Sequence, residues 1–360
     1  MQGNIAARAG RWSAQNRKKA IFGWLAFVLI ALFAGSAMGM NQVSHNSGPG
    51  ESGRAGAAIE RSFPKDDGAQ EQVLVQKKGD VSDAQFRSTI DEVATKLEST
   101  QHVQDVTTPL HRGNAAQLSP DGKSALVTFK VRGEQIDLED NVAASLATVA
   151  SLQKSHSDVR IEQFGDASVN KALSETEGKD FHRAETLSLP ITLIILAIAF
   201  GAIVAAGIPV LLALSAVAGT MGLVNVISHV VPLSDGASAV ILLIGLAVGV
   251  DYSMFYLRRE REERAKGRSP REALEIAAAT SGRAVLISGF TVMIAMAGMY
   301  FAGDSTFVSF GTGTILVVAV AMIGSLTVLP ALLASLGDRV EKGRIPFLSR
   351  VKSQNGESRA

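Results

Sequence analysis

The most informative absence in this sequence is that of cysteine. None occurs among the 360 residues, which excludes disulfide bonds and thiolate-ligated metals but leaves the compartment open. The charges nearly cancel as well, with 35 Lys and Arg against 34 Asp and Glu. Because the basic residues flank apolar runs instead of covering one polar face, the pattern does not indicate a nucleic-acid-binding protein.

Catalytic signatures are also missing from the sequence. It contains no Gly-rich phosphate loop and no nucleophile elbow. We therefore predict no enzymatic activity, no bound metal and no cofactor. The histidines of the polar region lack metal-ligand spacing and are expected in loops or on the surface: His45, His102, His111, His156 and His182.

Long apolar runs account for much of the remaining chain. The first run comprises residues 20–40. A signal peptide is an alternative for it, since residues 35–37 resemble a cleavage site, but the length of the run favours a retained helix. Only Gly207 separates the run at residues 187–206 from the run at residues 208–230. This predicts an antiparallel hairpin with a very short cytoplasmic link. The runs are long enough to cross a hydrocarbon core of about 30 Å as helices, and six are found: residues 20–40, 187–206, 208–230, 237–257, 284–302 and 306–336.

Residues 41–186 form a polar region between the first two runs. Its beginning, residues 41–56, is rich in Gly, Ser and Asn and indicates a linker. An amphipathic helix at its end, residues 164–184, leads into the second run. Between them, the order β-α-β-β-α-β predicts a ferredoxin-like α+β domain whose roughly 100 residues can bury a core. Its predicted segments are, in order, residues 72–76, 82–99, 103–107, 124–131, 138–154 and 159–161.

The segment between the fourth and fifth runs, residues 258–283, carries eight Lys and Arg. Within it, Ser269 and Glu272 have the spacing of a capping box, with Pro270 at the first helical position. Apolar residues follow on one face, so we predict a short helix lying on the inner membrane surface.

The distribution of charge predicts the orientation of the chain. Residues 41–186 carry 16 Lys and Arg against 23 Asp and Glu, whereas residues 1–20, 258–283 and 335–360 together carry 19 against 8. Basic segments stay in the cytoplasm, so both termini are predicted there and the acidic region outside the plasma membrane. The predicted organisation is a cytoplasmic segment 1–19, transmembrane helix 1 at 20–40, an external domain with linkers at 41–186, transmembrane helices 2–6 at 187–336, and a cytoplasmic tail 337–360.

The fourth run contains one carboxylate, Asp251, beside Tyr252. An ionisable group this deep in a membrane span is costly, usually faces a bundle interior and marks an ion or proton pathway. The alternative is that Asp251 leans toward the surface and pairs with Arg258 or Arg259. Gly245 and Gly249 form a small-xxx-small pair, which indicates close helix packing.

The residues around this acid resemble a known family. The stretch 249–263, GVDYSMFYLRREREE, resembles the fourth helix of the MMPL family (mycobacterial membrane protein, large) of the resistance-nodulation-division (RND) superfamily. The stretches SGR at 281–283 and SGFTV at 288–292 resemble that family's fifth helix, and LSLPITL at 187–193 resembles its second. The likeness covers roughly residues 20–340 and includes the external domain.

This resemblance implies a proton-motive-force-driven exporter of lipids or other hydrophobic molecules, with membrane lipids as its surroundings. It implies that Asp251 and Tyr252 relay protons. Ser288 and Thr291 share a helix face and are candidates to support the relay, with hydrogen bonding to their own backbone as the equally weighted alternative.

The chain differs from complete family members, which carry two such halves in tandem. It corresponds to the amino-terminal half and shows no internal repeat. The resemblance leaves three possibilities: a homodimer, pairing with a separately encoded second half, or a truncated remnant without transport activity. Two alternative functions are an accessory subunit of protein secretion similar to SecD and SecF, and a lipid sensor or scaffold comparable to a sterol-sensing domain.

Overall fold

The computed structural model describes residues 5–41, 50–62, 68–133, 137–231, 233–234 and 236–341. The chain divides into two units, a helical unit of Met1–Arg61 with Ala184–Ala360 and a sheet unit of Ser62–Arg183. The predicted tail beyond residue 341 and His45 lie outside the described residues. The elements are, in chain order, α1 (Ile5–Gln15), α2 (Arg17–Met38), α3 (Gly50–Ser62), β1 (Gly68–Lys77), α4 (Asp83–Glu98), β2 (Val103–Thr107), β3 (Ser124–Arg132), α5 (Leu138–Ser155), β4 (Val159–Gly165), α6 (Asp166–Phe200), α7 (Ile203–Ile227), α8 (Gly236–Ala265), α9 (Pro270–Ala297) and α10 (Ser305–Leu336), with short 3₁₀ turns at Ala115–Gln117, Gly298–Ala302 and Gly337–Glu341.

Several helices of the helical unit are long and apolar enough to span a membrane. Among the described residues five meet this condition: α2, α7, α8, α9 with the turn that follows it, and α10. The apolar part of α6, Thr186–Phe200, is shorter. The chain is therefore a multi-pass membrane protein, and five spans rather than the six predicted have full length.

The link between the second and third apolar runs lies at Gly201, and the prediction that it lies at Gly207 is wrong. Gly201 has a φ of +66°, a left-handed conformation that glycine adopts without strain, and its amide donates to the Ala197 carbonyl, which ends α6. Gly207 lies within α7. Because both glycines sit in uninterrupted apolar sequence, hydropathy alone did not distinguish them.

The predicted cytoplasmic loop 258–283 is largely helical. The fourth spanning helix continues to Ala265, and α9 begins at Pro270 and runs unbroken to Ala297. The predicted capping box is present, since the Ser269 Oγ accepts from the Glu272 amide at 3.3 Å and the Glu272 carboxylate accepts from the Ser269 amide at 3.1 Å. The predicted surface helix is instead the first part of the fifth spanning helix, because its buried stripe continues without a break: Ala273, Leu274, Ala277, Ala278, Gly282, Val285 and Gly289.

Two further helices were not predicted. The basic segment 1–19 contains α1, which buries Ala6, Ala7, Gly10 and Ser13 and packs against α9 and α10. The predicted linker 41–56 contains the beginning of α3. Both segments combine small residues with charges, which masks helical periodicity in the sequence.

Small residues allow the spanning helices to approach closely. A Cβ on Gly222 of α7 would lie 2.2 Å from the Ala31 carbonyl oxygen of α2, and one on Gly35 would lie 2.5 Å from the Gly222 carbonyl oxygen. The Trp24 indole also donates to the Ser215 hydroxyl at 3.0 Å. In a membrane, where lipid is as apolar as the side chains, such close backbone contact and interhelical hydrogen bonds hold helices together.

The sheet unit has the predicted order of elements, β-α-β-β-α-β. Its four strands pair antiparallel in the order β2-β3-β1-β4. Alternate strand residues are buried beneath α4 and α5, and the core is largely aliphatic: Val73, Val75, Val127, Phe129, Val131 and Ile161 from the strands, with Ile90, Val93, Leu97 and Val142 from the helices. Each such side chain contributes about 1.5–3 kcal/mol when it leaves water.

A buried carboxylate holds the start of α6 against β1. Glu71 is fully buried, and its Oε1 accepts from the amides of Ala167 and Ser168 at 2.9 and 3.0 Å. Its other oxygen accepts from the Gln163 side chain at 2.8 Å. The first amides of a helix have no partner within the helix, so a negative charge there satisfies them and complements the helix dipole.

Candidate functional site: a carboxylate on an uncovered helix face

One face of α8 is packed tightly against its neighbours. A Cβ added to Gly245 would lie 2.5 Å from Val217 of α7 and 2.6 Å from Val317 of α10. One added to Gly249 would lie 2.8 Å from the Cβ of Ala213. Both glycines therefore mark positions where only hydrogen fits, and they fix the rotation of α8 within the helical unit.

That rotation places Asp251 on the opposite side of α8. Its side chain is exposed, and it lies in a stripe of exposed residues spaced three or four apart: Leu243, Ala247, Asp251, Phe255 and Arg258. Asp251 is therefore not enclosed by the helices of the described residues, and whether it faces a bundle interior formed with a second half stays a prediction. We call these five residues the outward stripe; apart from Asp251 and the arginine at its end, it is apolar.

The two arginines after the apolar part of α8 do not pair with Asp251. Arg258 and Arg259 contact the Glu262 carboxylate at 3.2 and 3.3 Å, and Arg259 also contacts Glu263 at 3.1 Å. Among the described residues no ion pair involves Asp251. The alternative of a surface ion pair is therefore not realised, because acids one turn further along α8 are nearer to these arginines.

Tyr252 points in a different direction from Asp251. It is 5% exposed and packs toward α9, where a Cβ on Gly289 would lie 3.4 Å from its hydroxyl. Ser288 lies close to this hydroxyl, which meets no full hydrogen-bond criterion with any of the described residues.

The predicted support residues on α9 behave differently from each other. The Thr291 hydroxyl donates to the Ile287 carbonyl of its own helix at 2.8 Å, which is the alternative considered for it. Ser288 is exposed and adjoins Tyr252. Thus the fold brings Tyr252 and Ser288 together, and Asp251 directly precedes Tyr252 in the sequence. The Thr291 hydroxyl, in contrast, donates its hydrogen bond within its own helix.

Sequence reasoning missed buried hydroxyls on the packed face of α8. The Ser253 hydroxyl is fully buried and has no hydrogen-bond partner in the described part of the chain, and the same is true of Ser325 on α10. Ile241 contacts Gly313, and Gly245 contacts Val317, so contacting residues of α8 and α10 differ by the same number of positions in both pairs. Ser253 and Ser325 differ by that number as well. The two hydroxyls therefore occupy corresponding levels of two neighbouring helices. No signal in a single helix sequence reveals this.

Tyr256, one turn beyond Tyr252, is a second missed residue. It is fully buried, and its hydroxyl donates to the Leu274 carbonyl at 3.3 Å. A Cβ on Gly10 of α1 would lie 3.2 Å from the same hydroxyl. Tyr256 therefore joins α8, α9 and α1. In the sequence, its position four residues after Tyr252, on the same helix face, is the feature that could have indicated it.

These features define a membrane-embedded helical protein with a carboxylate in mid-span and a separate α+β unit. The MMPL family model matches residues 48–352, and the chain belongs to the MMPL family. It is 32% identical over 330 residues to a probable transport protein, MmpL11, of Mycobacterium leprae, which covers 88% of this chain and 32% of the relative. This chain therefore spans about a third of that relative's length.

Two other relatives carry more specific names. A mycolic acid-containing lipids exporter of Mycolicibacterium smegmatis is 39% identical over 51% of this chain and 19% of its own length. A heme uptake protein of Mycobacterium tuberculosis is 40% identical over 53% of this chain and 20% of its own length. Among solved structures, the hedgehog release protein Disp of the water bear Hypsibius dujardini superposes with a TM-score of 0.61 over 92% of this chain and 50% of that one. At 12% identity, this likeness concerns the fold alone.

Proposed function

We propose that the chain is half of a proton-driven RND-type transporter that exports lipids or other hydrophobic molecules across the cytoplasmic membrane. In this proposal it acts in transport rather than catalysis, with both termini in the cytoplasm. The short apolar end of α6 completes a set of six spans, and the sheet unit is a ferredoxin-like domain outside the membrane. Membership of the MMPL family and the exporter among the relatives support this assignment.

The observation that carries the proposal is the place of Asp251 in the outward stripe. An ionised carboxylate facing lipid costs about 2.5–3.5 kcal/mol or more at the centre of a span, and such residues persist where they serve an ion or proton pathway. We infer that Asp251 takes up and releases the transported proton. Tyr252, the next residue along α8, and Ser288 supply two hydroxyls that lie close to each other. The Tyr252 hydroxyl has no hydrogen-bond partner among the described residues, whereas the Thr291 hydroxyl is bonded to its own helix.

The same stripe implies a second set of helices. Leu243, Ala247 and Phe255 form an apolar surface on both sides of Asp251, and another helix laid over it would shield the charge. The covering helices come from a second copy of this chain or from a separately encoded half. Protonation of Asp251 removes a charge from this interface, so the two halves repack, and that change is transmitted to the external domain.

The names of the relatives indicate the direction of transport and the substrate only in outline. One relative is named as an exporter of mycolic acid-containing lipids and another as a heme uptake protein. Export is the direction we propose, and uptake is the second candidate because of the second name. A transport assay on membrane vesicles of both orientations separates the two.

Substitution of Asp251 tests the proposal directly. The purified chain, with whatever copurifies, is reconstituted into liposomes carrying an entrapped pH-sensitive dye, and proton flux is followed after an imposed pH gradient. Asp251→Asn should lower the flux at least about tenfold, a barrier increase of about 1.4 kcal/mol, because the amide cannot exchange the proton. Asp251→Glu should retain part of the flux.

The matched control is Asp140→Asn, an exposed acid in the first turn of α5. It removes the same charge from the sheet unit and should leave the flux unchanged. Undiminished flux in Asp251→Asn would exclude proton coupling through this residue and favour a sensor or scaffold. A SecD/SecF-like accessory subunit would instead lose protein secretion together with proton flux.

A further inference from the structure

A cavity of about 390 Å³ lies among α1, the start of α2, the end of α8, the start of α9 and the end of α10. It belongs wholly to the helical unit. Its position is at the end of the spans that carries the basic segments. It is separate from Asp251, and the proposed transport mechanism makes no use of it.

The cavity is lined by four arginines that come from distant parts of the sequence. They are Arg11 of α1, Arg17 at the start of α2, Arg264 of α8 and Arg271 of α9. One carboxylate, Glu275, also lines it and lies 3.5 Å from the Arg271 Nε. Arg264 forms an ion pair with Glu260 on its own helix. The lining itself thus carries four positive charges against one negative charge, and it favours an anion.

The contacts of Arg11 and Arg17 occupy only part of the donors of these two side chains. Arg17 donates from one terminal nitrogen to the Ala334 carbonyl at the end of α10, at 2.6 Å. Arg11 donates from Nε to the Ala7 carbonyl at 3.3 Å. Each guanidinium has five N–H donors in a planar fork that suits phosphate oxygens. These contacts therefore orient the side chains and leave further donors for a ligand.

The other side of the cavity is apolar. Leu274, Leu333, Ala14 and Ala334 line it together with the arginines. A site that combines a cationic cluster with apolar walls at the ends of spanning helices suits a phosphate group attached to an apolar body. Basic pockets between spanning helices on the cytoplasmic side are known to accept anionic lipid headgroups.

We propose that this cavity binds a phosphate-bearing anion, held by Arg11, Arg17, Arg264 and Arg271, and that the bound anion clamps α1 against α8, α9 and α10. Two sources share this chemistry, the headgroup of an acidic phospholipid of the inner leaflet and a soluble phosphate. Occupancy stabilises α1, whose Gly10 packs on the Tyr256 hydroxyl and on Ala278. The proposal stands independently of proton transport.

The test compares thermal unfolding of the full chain in three nanodisc samples. The first contains phosphatidylcholine alone, and the second contains phosphatidylcholine with phosphatidylglycerol. The third contains phosphatidylcholine with inorganic phosphate in the buffer, and it is compared with chloride at the same ionic strength. A ligand bound only by the folded state raises the unfolding midpoint. A rise with phosphatidylglycerol alone identifies a lipid headgroup, and a rise with inorganic phosphate identifies a soluble anion.

The variant Arg11→Gln/Arg271→Gln should lose this rise and should retain about tenfold less anionic lipid in native mass spectrometry. Its matched control is Arg8→Gln/Arg283→Gln, which removes two exposed arginines of α1 and α9 that do not line the cavity. The control should behave as the unmodified chain. An equal loss in both variants, or no rise for the unmodified chain with either anion, overturns the proposal; the second result does not depend on the folding of any variant.

Discussion

At the scale of single residues, neighbours on α8 serve different purposes because successive side chains diverge by about 100° around a helix. Asp251 lies on the uncovered face, whereas Tyr252 and Ser253 are buried. The packed glycines hold this arrangement, since a rotation of α8 would move their backbone away from α7 and α10. Two predictions concern single residues.

The first prediction is that Gly249→Val destabilises the helical unit. Any Cβ at Gly249 meets Ala213 at 2.8 Å, so α8 must move away from α7, at a cost of about 1–3 kcal/mol. The measurement is the thermal unfolding midpoint in detergent. Gly23→Val is the matched control, because no atom lies within 4 Å of a Cβ at Gly23. Equal midpoints for the two variants would contradict the packing described for α8.

The second prediction separates the two tyrosines of α8. Tyr256→Phe removes a buried hydrogen bond to Leu274 and should lower the free energy of unfolding by about 0.5–1.5 kcal/mol. Tyr252→Phe removes a hydroxyl without a partner, so stability should not fall, while proton flux should. The midpoint and the liposome flux are measured for both variants. If Tyr252→Phe lowered stability and left the flux unchanged, its hydroxyl would be structural.

At the scale of elements, helix ends are held by specific polar groups. Ser269 and Glu272 cap α9, and Asp304 accepts from the Thr306 amide at 2.8 Å at the start of α10. The start of α6 is held by Glu71, a residue far away in sequence. A long-range cap of this kind ties the beginning of a helix to a sheet.

The third prediction is that Glu71→Ala destabilises the sheet unit by about 2–3 kcal/mol or more, because two helix amides and the Gln163 side chain lose their buried acceptor. Limited proteolysis of the full chain, read at cleavage sites within residues 68–165, reports the loss. Glu162→Ala on β4 is the control, since Glu162 is half-exposed and forms a surface ion pair with Arg160, so its removal should cost no more than about 1 kcal/mol. Equal protection of both variants would show that Glu71 does not hold α6.

At the scale of the whole molecule, the outward stripe is a helix surface that the described residues leave exposed. A mid-span acid surrounded by exposed apolar residues requires either lipid contact at high cost or a covering helix. Absence of cysteine makes this question accessible, because any introduced cysteine is unique.

The fourth prediction is that Ala247→Cys forms a disulfide-linked pair of chains on mild oxidation in membranes. Ala247 lies one turn from Asp251 on the outward stripe, so two copies facing each other there bring the thiols together. Leu29→Cys, exposed on α2, is the control and should not cross-link. A particle containing a different second chain, without cross-linking, would identify a separately encoded half. A monomer by light scattering, with no cross-link, would contradict the covered stripe.

Most individual elements followed from the sequence. Strand alternation, helical spacing and the Ser269 cap are local patterns, so the order of elements in the sheet unit and the start of α9 agree with prediction. The location of Asp251 and Tyr252 within an apolar helix was equally evident. Short-range chemistry decides these features, and it is written in neighbouring residues.

Tertiary structure alone decided which face of each helix is covered. Asp251 points outward and Tyr252 inward because Gly245 and Gly249 seat α8 against α7 and α10, contacts that no single segment contains. The turn at Gly201, the unbroken α9 and the packed α1 also depend on neighbours distant in the chain. The same holds for the four arginines of the cavity, since packing of five helices gathers residues 11 to 271 around one space.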